Sequence, residues 1–218
     1  MFFQRGDRVK VKICGIKDQE TAKAAIDAGA DALGFIFVPE SKRYISPREA
    51  KEIIAAMPPG VDAVGVFSNA PRESVNKIAA QCNLTAIQLH GGEPCHYLNT
   101  NSLPVIKCVK VQDKFDLNQV RAIKAEAILL DTYHPYLSGG TGETFDWSLV
   151  KNAGDSLPLI LAGGLNADNI RVAVKTVRPC AVDVSSGVES SGVKDKVKIK
   201  AFVAKAKEVV YHDYPTRY

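Results

Sequence analysis

The sequence predicts a parallel α/β fold closed into a (β/α)8, or TIM, barrel, and three observations carry that prediction. Short runs rich in valine and isoleucine recur eight times in 218 residues. Several are apolar at consecutive positions, as in strands covered on both faces. Segments of helical period lie between most of them, so one strand-plus-helix unit comes every roughly 27 residues, near the short end for an eight-unit barrel. The alternative is an open doubly wound sheet. No Pro/Gly/Ser-rich linker divides the chain, so residues 1–218 read as a single domain.

The strand candidates are residues 9–14, 32–38, 63–67, 86–89, 105–109, 127–130, 159–162 and 181–184. Between them, Ala50, Ile53, Ile54 and Met57 follow the i, i+3, i+4, i+7 helical spacing, as do Val75, Ile78, Ala79 and Cys82. Ser46-Pro47-Arg48-Glu49 is a capping box with proline at the first helical position, and Pro58-Pro59 stops that helix. Asp18 and Asn166 are candidate N-caps and Gly29 a candidate C-cap. A last helix, residues 194–210, closes the domain. Residues 212–218 read as a frayed tail.

Composition narrows the function. Hydrophobic residues make up 46% and charged residues 24%, which excludes a disordered chain. The net charge of +4 is spread over scattered lysines, so no nucleic-acid footprint is expected. The five cysteines, Cys14, Cys82, Cys95, Cys108 and Cys180, are odd in number and lack CxxC spacing. Neither a disulfide framework nor a zinc cluster is indicated. The opening MFFQRGDR is charged where a signal peptide would be apolar, and no run is long enough to span a membrane. A cytoplasmic protein is expected.

In this architecture the chemistry gathers at the C-terminal ends of the strands. Two groups stand out there. LAGGLN offers Gly163, Gly164 and Leu165, and VDVSSG offers Ser185, Ser186 and Gly187. Glycine-rich turns after strands seven and eight present free N–H groups, the usual place of a phosphate cradle in such barrels. Either loop alone would pass for an ordinary turn. The second group is Cys14 with Asp131. Singly, these read as a core cysteine and a loop-fixing aspartate. Facing each other across a gripped phosphosugar, they could move protons at two centres as base and acid. His90 is the rival base. Lys12, two residues before Cys14, projects to the same barrel face and reads equally as a neighbour of the thiol or as a buried structural lysine.

Taken in order, KICGI, GADALGFIF, SKRYIS, QLHG, LLDT, GGTGETFDW, LAGGLN and VDVSSGVES resemble the phosphoribosylanthranilate isomerase family over residues 11–195. The resemblance implies an Amadori rearrangement of N-(5-phosphoribosyl)anthranilate, with neither metal nor cofactor. It implies Cys14 as general base and Asp131 as general acid, and it associates Arg43 with the anthranilate carboxylate. Gln88, His90 and Asp183 fall at family active-site positions. The partner expected is a small phosphosugar, with no membrane and no nucleic acid, and the protein is expected as a monomer or homodimer. Three departures are visible, one of them Glu143 within GGTGETFDW. About eight residues precede the first strand where members often start at once, and residues 133–138 form an insert before the GGTG turn, a candidate part of a lid.

For the chemistry to run, the acid needs a raised pKa, which burial would supply, and the base needs a lowered one. The related histidine-pathway isomerase carries an aspartate where this chain has Cys14. A phosphosugar-binding protein without catalysis is the alternative from another class.

Overall fold

The computed structural model describes the chain apart from residues 5, 95, 96, 98–102, 113, 114, 117, 119, 121, 133–143, 152, 156 and 212–218. Eight parallel strands, β1 (Lys10–Cys14), β2 (Ala32–Ile36), β3 (Asp62–Phe67), β4 (Ala86–Leu89), β5 (Val105–Val111), β6 (Ala127–Thr132), β7 (Leu159–Leu161) and β8 (Ala181–Val184), pair in sequence order. β8 returns to β1 and closes the barrel. All eight predicted runs are strands. The open-sheet alternative is ruled out by that closure.

Among the described residues five α-helices pack outside: α1 (Gln19–Asp27), α2 (Pro47–Ala55), α3 (Arg72–Cys82), α4 (Ile170–Val177) and α5 (Lys196–Lys207). The sequence suggests about eight. Much of the connections after β4, β5 and β6 falls outside the described residues, as do Cys95 and the 133–138 insert. Trp147–Val150 and Ala153–Asp155, before β7, are short 3-10 turns.

Helix starts follow their local chemistry. The Asp18 side chain accepts from the Thr21 amide at 2.7 Å. Ser46 and Glu49 exchange backbone contacts as the predicted capping box, with Pro47 opening α2. Such a cap stabilises a helix by about 1 kcal/mol. Two boundaries differ from expectation. Asn169, not Asn166, is the residue before α4; Asn166 instead accepts from the Asp168 and Asn169 amides and shapes the turn that precedes the helix. The last helix begins at Lys196 rather than at residue 194, because Glu189–Ser190 (β9) and Val193–Lys194 (β10) first form an antiparallel hairpin. Asp195 then caps α5 through the Val197 and Lys198 amides.

The core has two layers. One lies between strands and helices and contains Ile13, Leu33, Phe35, Leu130 and Phe202. The other fills the barrel, with Ala32, Val64, Ala86, Ile106, Ala127 and Ala181 facing inward. Four of these are alanines at the first residue of their strands, too small to close that end. Phe2 and Phe3 fill it, and the Phe2 amide donates to Asp62 Oδ2 at 2.5 Å. The residues ahead of β1 thus seal the N-terminal end. The C-terminal end is left for polar groups. Apart from Thr21, the buried polar side chains Lys12, Arg43, Gln88, Glu93, Asp131 and Asp183 all sit toward that rim.

Candidate active site

β1 and β8 lie side by side, with Lys12 in register with Asp183. Alternation turns Lys12 and Cys14 to the same, inward face. Lys12 is fully buried, and its Nζ lies 2.9 Å from Asp183 Oδ1. It also interacts with the Cys14 sulfur, so the neighbour read from the sequence is in place. Cys14 pairs in register with Gly34 of β2. A Cβ at Gly34 would stand 2.8 Å from Cys14 Sγ and 3.0 Å from Lys12 Nζ. The glycine in GADALGFIF therefore makes the space that the thiol and ammonium occupy. Burial pushes the Cys14 thiol up, and the nearby Lys12 charge reduces that rise without cancelling it.

β5 and β6 place Lys110 in register with Asp131. Lys110 Nζ lies 2.5 Å from Asp131 Oδ2, and His90 Nε2 lies 3.2 Å from the same oxygen. Lys110 Nζ is also 2.9 Å from His90 Nε2. The other carboxylate oxygen accepts from the Thr132 amide at 2.9 Å. Burial works to raise the Asp131 pKa, but His90 and Lys110 outweigh it and hold the carboxyl below its ordinary value. Burial opposes a charged imidazole at His90, yet the Cys108 sulfur and the Asp131 carboxylate raise that ring to about 9. The pKa directions of both Cys14 and Asp131 are thus the reverse of those expected from the chemistry. In the unliganded protein desolvation wins at the sulfur and neighbouring cations win at the carboxyl.

Arg43 packs against Gly15, beside Cys14, and reaches the β9–β10 hairpin. Its Nε and Nη2 donate to the two oxygens of Glu189 at 2.6 and 2.8 Å, a bidentate pair. Lys194 Nζ approaches Glu189 Oε1 at 2.9 Å and donates to the Ser185 carbonyl at 2.8 Å. The Ser185 hydroxyl donates to the Cys14 carbonyl at 3.1 Å. The hairpin is therefore tied to the end of β1. Gln88 is buried, with its Nε2 3.1 Å from His90 Nδ1.

The two glycine loops lie against each other. A Cβ on Gly187 would run into the Leu165 carbonyl, so the turn after β8 packs backbone to backbone on the turn after β7. Gly163 and Gly164 both have positive φ. The Leu165 side chain is in the core, leaving only its backbone to meet a ligand.

Of the side chains brought together here, Cys14, Asp131, Arg43, Gln88, His90 and Asp183 are named from the sequence, whereas Lys110, Glu189, Lys194 and the space left by Gly34 are not. The strand predicted for residues 105–109 runs on to Val111. Extending the VIKCV run by one residue would have found Lys110. A Ser191-Gly192 turn between two short runs signals the hairpin that carries Glu189 and Lys194.

This geometry coincides with a clear relationship. A family model described as N-(5'phosphoribosyl)anthranilate (PRA) isomerase matches residues 11–205. The chain belongs to the phosphoribosylanthranilate isomerase family. The N-(5'-phosphoribosyl)anthranilate isomerase of Bacillus cereus (strain Q1) is 50% identical over 202 residues, covering 92% of this chain and 98% of that one. The phosphoribosyl anthranilate isomerase of Thermotoga maritima superposes with a TM-score of 0.85 at 46% identity, over 92% of this chain and all of the other. A phosphoribosyl anthranilate isomerase solved in complex with reduced 1-(o-carboxyphenylamino)-1-deoxyribulose 5-phosphate superposes with a TM-score of 0.82 at 44% identity, over 92% and 100%. As a phosphoribosylanthranilate isomerase, the protein is an aldose–ketose isomerase of tryptophan biosynthesis. It converts N-(5-phosphoribosyl)anthranilate to 1-(2-carboxyphenylamino)-1-deoxyribulose 5-phosphate. That membership sets aside the histidine-pathway and binding-only readings.

Proposed function

We propose that the rearrangement runs at the barrel mouth by general acid–base catalysis, with Asp131 as acid and Cys14 as base. The reading is carried by one observation. These two buried groups lie at the C-terminal ends of strands three apart around the closed barrel, each with a lysine against it. Asp131 donates a proton to the ribose ring oxygen as the C1–O bond breaks, leaving an open-chain iminium. Cys14 as thiolate removes the C2 proton, and the electron pair moves into an enolamine, which tautomerises to the ketone.

The resting protonation states are compatible with this sequence because the substrate changes both environments. His90 holds a proton 3.2 Å from Asp131 Oδ2, available to the carboxyl once the sugar displaces Lys110. A positive iminium beside Cys14 favours its thiolate, as any nearby cation does. Gly163, Gly164, Leu165, Ser185, Ser186 and Gly187 supply the phosphate cradle, whose binding energy holds the sugar in register. Arg43 uses Nε and Nη2 on Glu189, which leaves Nη1 for the aryl carboxylate. Gln88, His90 and Asp183 orient the groups that touch substrate. Monomer and homodimer serve this site alike, since the residues invoked come from one chain, and a reducing cytoplasm suits its free thiols.

Turnover followed by loss of anthranilate fluorescence tests the assignment. Cys14→Ala and Asp131→Asn should each lose about 10²–10⁴ in kcat while remaining folded. A variant that keeps near wild-type turnover removes its residue from the mechanism. Arg43→Ala should raise KM for the natural substrate and leave a descarboxy analogue little changed. Equal losses on both would remove that contact.

A further inference from the structure

Cys108 of β5 points into the barrel mouth and has no step in the rearrangement. Its Sγ lies 3.6 Å from His90 Nε2, and His90 Nε2 lies 3.2 Å from Asp131 Oδ2. All three ligand atoms fall within 4.8 Å of one another. Tetrahedral zinc, with bonds of about 2.3 Å to sulfur and about 2.0 Å to nitrogen and oxygen, sets sulfur and nitrogen about 3.5 Å apart and nitrogen and oxygen about 3.3 Å apart. The two edges that meet at His90 Nε2 match those of a coordination polyhedron before any ion enters, and the sulfur–carboxylate edge, within 4.8 Å, closes to about 3.5 Å by small side-chain rotation.

We propose that His90, Cys108 and Asp131 form a binding site for a thiophilic divalent cation such as zinc, and that occupancy blocks the isomerase by capturing Asp131.

Two features beyond the spacing support it. A metal-bound histidine usually gives its other ring N–H to an acceptor, which leaves the ligating nitrogen its lone pair. Gln88 lies at His90 Nδ1 and is 1% exposed, and its Oε1 is buried without a hydrogen-bond partner. An amide's two ends are interchangeable in shape. Turned over, Gln88 presents that oxygen to Nδ1–H and fixes the tautomer with Nε2 free to ligate. Its NH2 group then takes the place Oε1 now holds.

The second feature is that a cation already occupies the position. Lys110 Nζ sits 2.5 Å from Asp131 Oδ2 and 2.9 Å from His90 Nε2, on a side chain that is 25% exposed. A divalent ion would replace this ammonium, which can swing toward solvent. The protons of the Cys108 thiol and the imidazole leave to the buffer as the ion binds. Three protein ligands leave a fourth position open, the arrangement of a zinc ion that exchanges rather than one that holds a fold together.

The inhibitory part rests on Asp131 being the acid, whereas the binding part does not. The test uses Co²⁺ as a spectroscopic probe and Zn²⁺ as the inhibitor, on the full chain stripped with chelator. Wild type and Cys14→Ala should bind one Co²⁺ with a thiolate-to-cobalt charge-transfer band. The band should be absent in both Cys108→Ser and Cys108→Ala, and weakened in His90→Gln. Zinc affinity should fall about 100-fold or more in the Cys108 variants, beyond the 10–100-fold that an outer hydrogen-bond partner costs. Lys110→Met should bind zinc more tightly than wild type. Turnover, taken as the ratio with and without zinc, should drop in wild type and hold near one in Cys108→Ser. No cobalt band, or a band that survives both Cys108 substitutions, overturns the site. A band lost with Cys108 while zinc leaves wild-type turnover untouched overturns the inhibition and the acid role of Asp131 with it.

Discussion

The two sides of the barrel mouth solve opposite problems. Around Cys14 the protein is closed: Lys12 is fully buried, Asp183 answers it, and Gly34 contributes only empty space. Around Asp131 it is open and crowded: His90 and Lys110 converge on one carboxylate oxygen, and the lysine is partly exposed. On the closed side, loss of hydration dominates and the thiol keeps its proton. On the open side, nearby positive charge dominates and the carboxyl gives its proton up. In the proposed mechanism each group acts in the opposite form, a change that the arriving substrate would have to bring about.

The sharpest way to break this comparison is to remove each reactive group. The loss of about 10²–10⁴ in kcat expected for Cys14→Ala and Asp131→Asn should be similar on the two sides. Substitution of the supporting lysines should separate them. Lys12→Met leaves Asp183 buried without its partner and should cost about 3–5 kcal/mol of folding stability, read from denaturant unfolding. Adding Asp183→Asn should recover much of that loss. A single variant as stable as wild type would show that the closed side does not depend on the pair. Gly34→Ala comes next. Its Cβ would crowd the sulfur and the ammonium, and should cost about 1–3 kcal/mol together with a drop in kcat. Unchanged melting and turnover would mean the closed side is looser than its distances state.

The smallest effect concerns Glu189. Burial works to raise its pKa, but Arg43 and Lys194 outweigh it and leave the carboxyl below its ordinary value. A depressed acid stabilises the fold fully above its unfolded pKa and loses that contribution as pH falls through the folded value. Wild type should therefore lose stability on acidification below about pH 4.3 more steeply than Glu189→Gln. Superimposable acid limbs would remove Glu189 from the balance.

Why was so much of this site readable from the chain? The barrel was legible because fully buried strands must be apolar at consecutive positions, and the eight runs stand out. Cys14, Asp131 and the two glycine loops were legible because strand ends confine the search. What escaped was lateral. Lys110 acts through a neighbouring strand, and the predicted β5 ended one residue too early to include it. Glu189 reaches Arg43 across 146 residues, a contact no local pattern encodes. Gly34 matters for an atom it lacks, which becomes visible only when the sulfur opposite is in place. The Asp131 direction was misread because the number of cations converging on one oxygen is not foreseeable from sequence, and the Cys14 direction because burial outweighs the one lysine beside it.

The two phenylalanines at the other end have a practical meaning. Because alanines line the start of four strands, the barrel's floor is furnished by the leader ahead of β1, not by the barrel itself. A version trimmed to begin at Val9 would expose a small greasy well to water, so the damage should register as a lower melting temperature while the distant rim keeps its chemistry. Fusions joined at that terminus need slack, since the second residue is already anchored to Asp62.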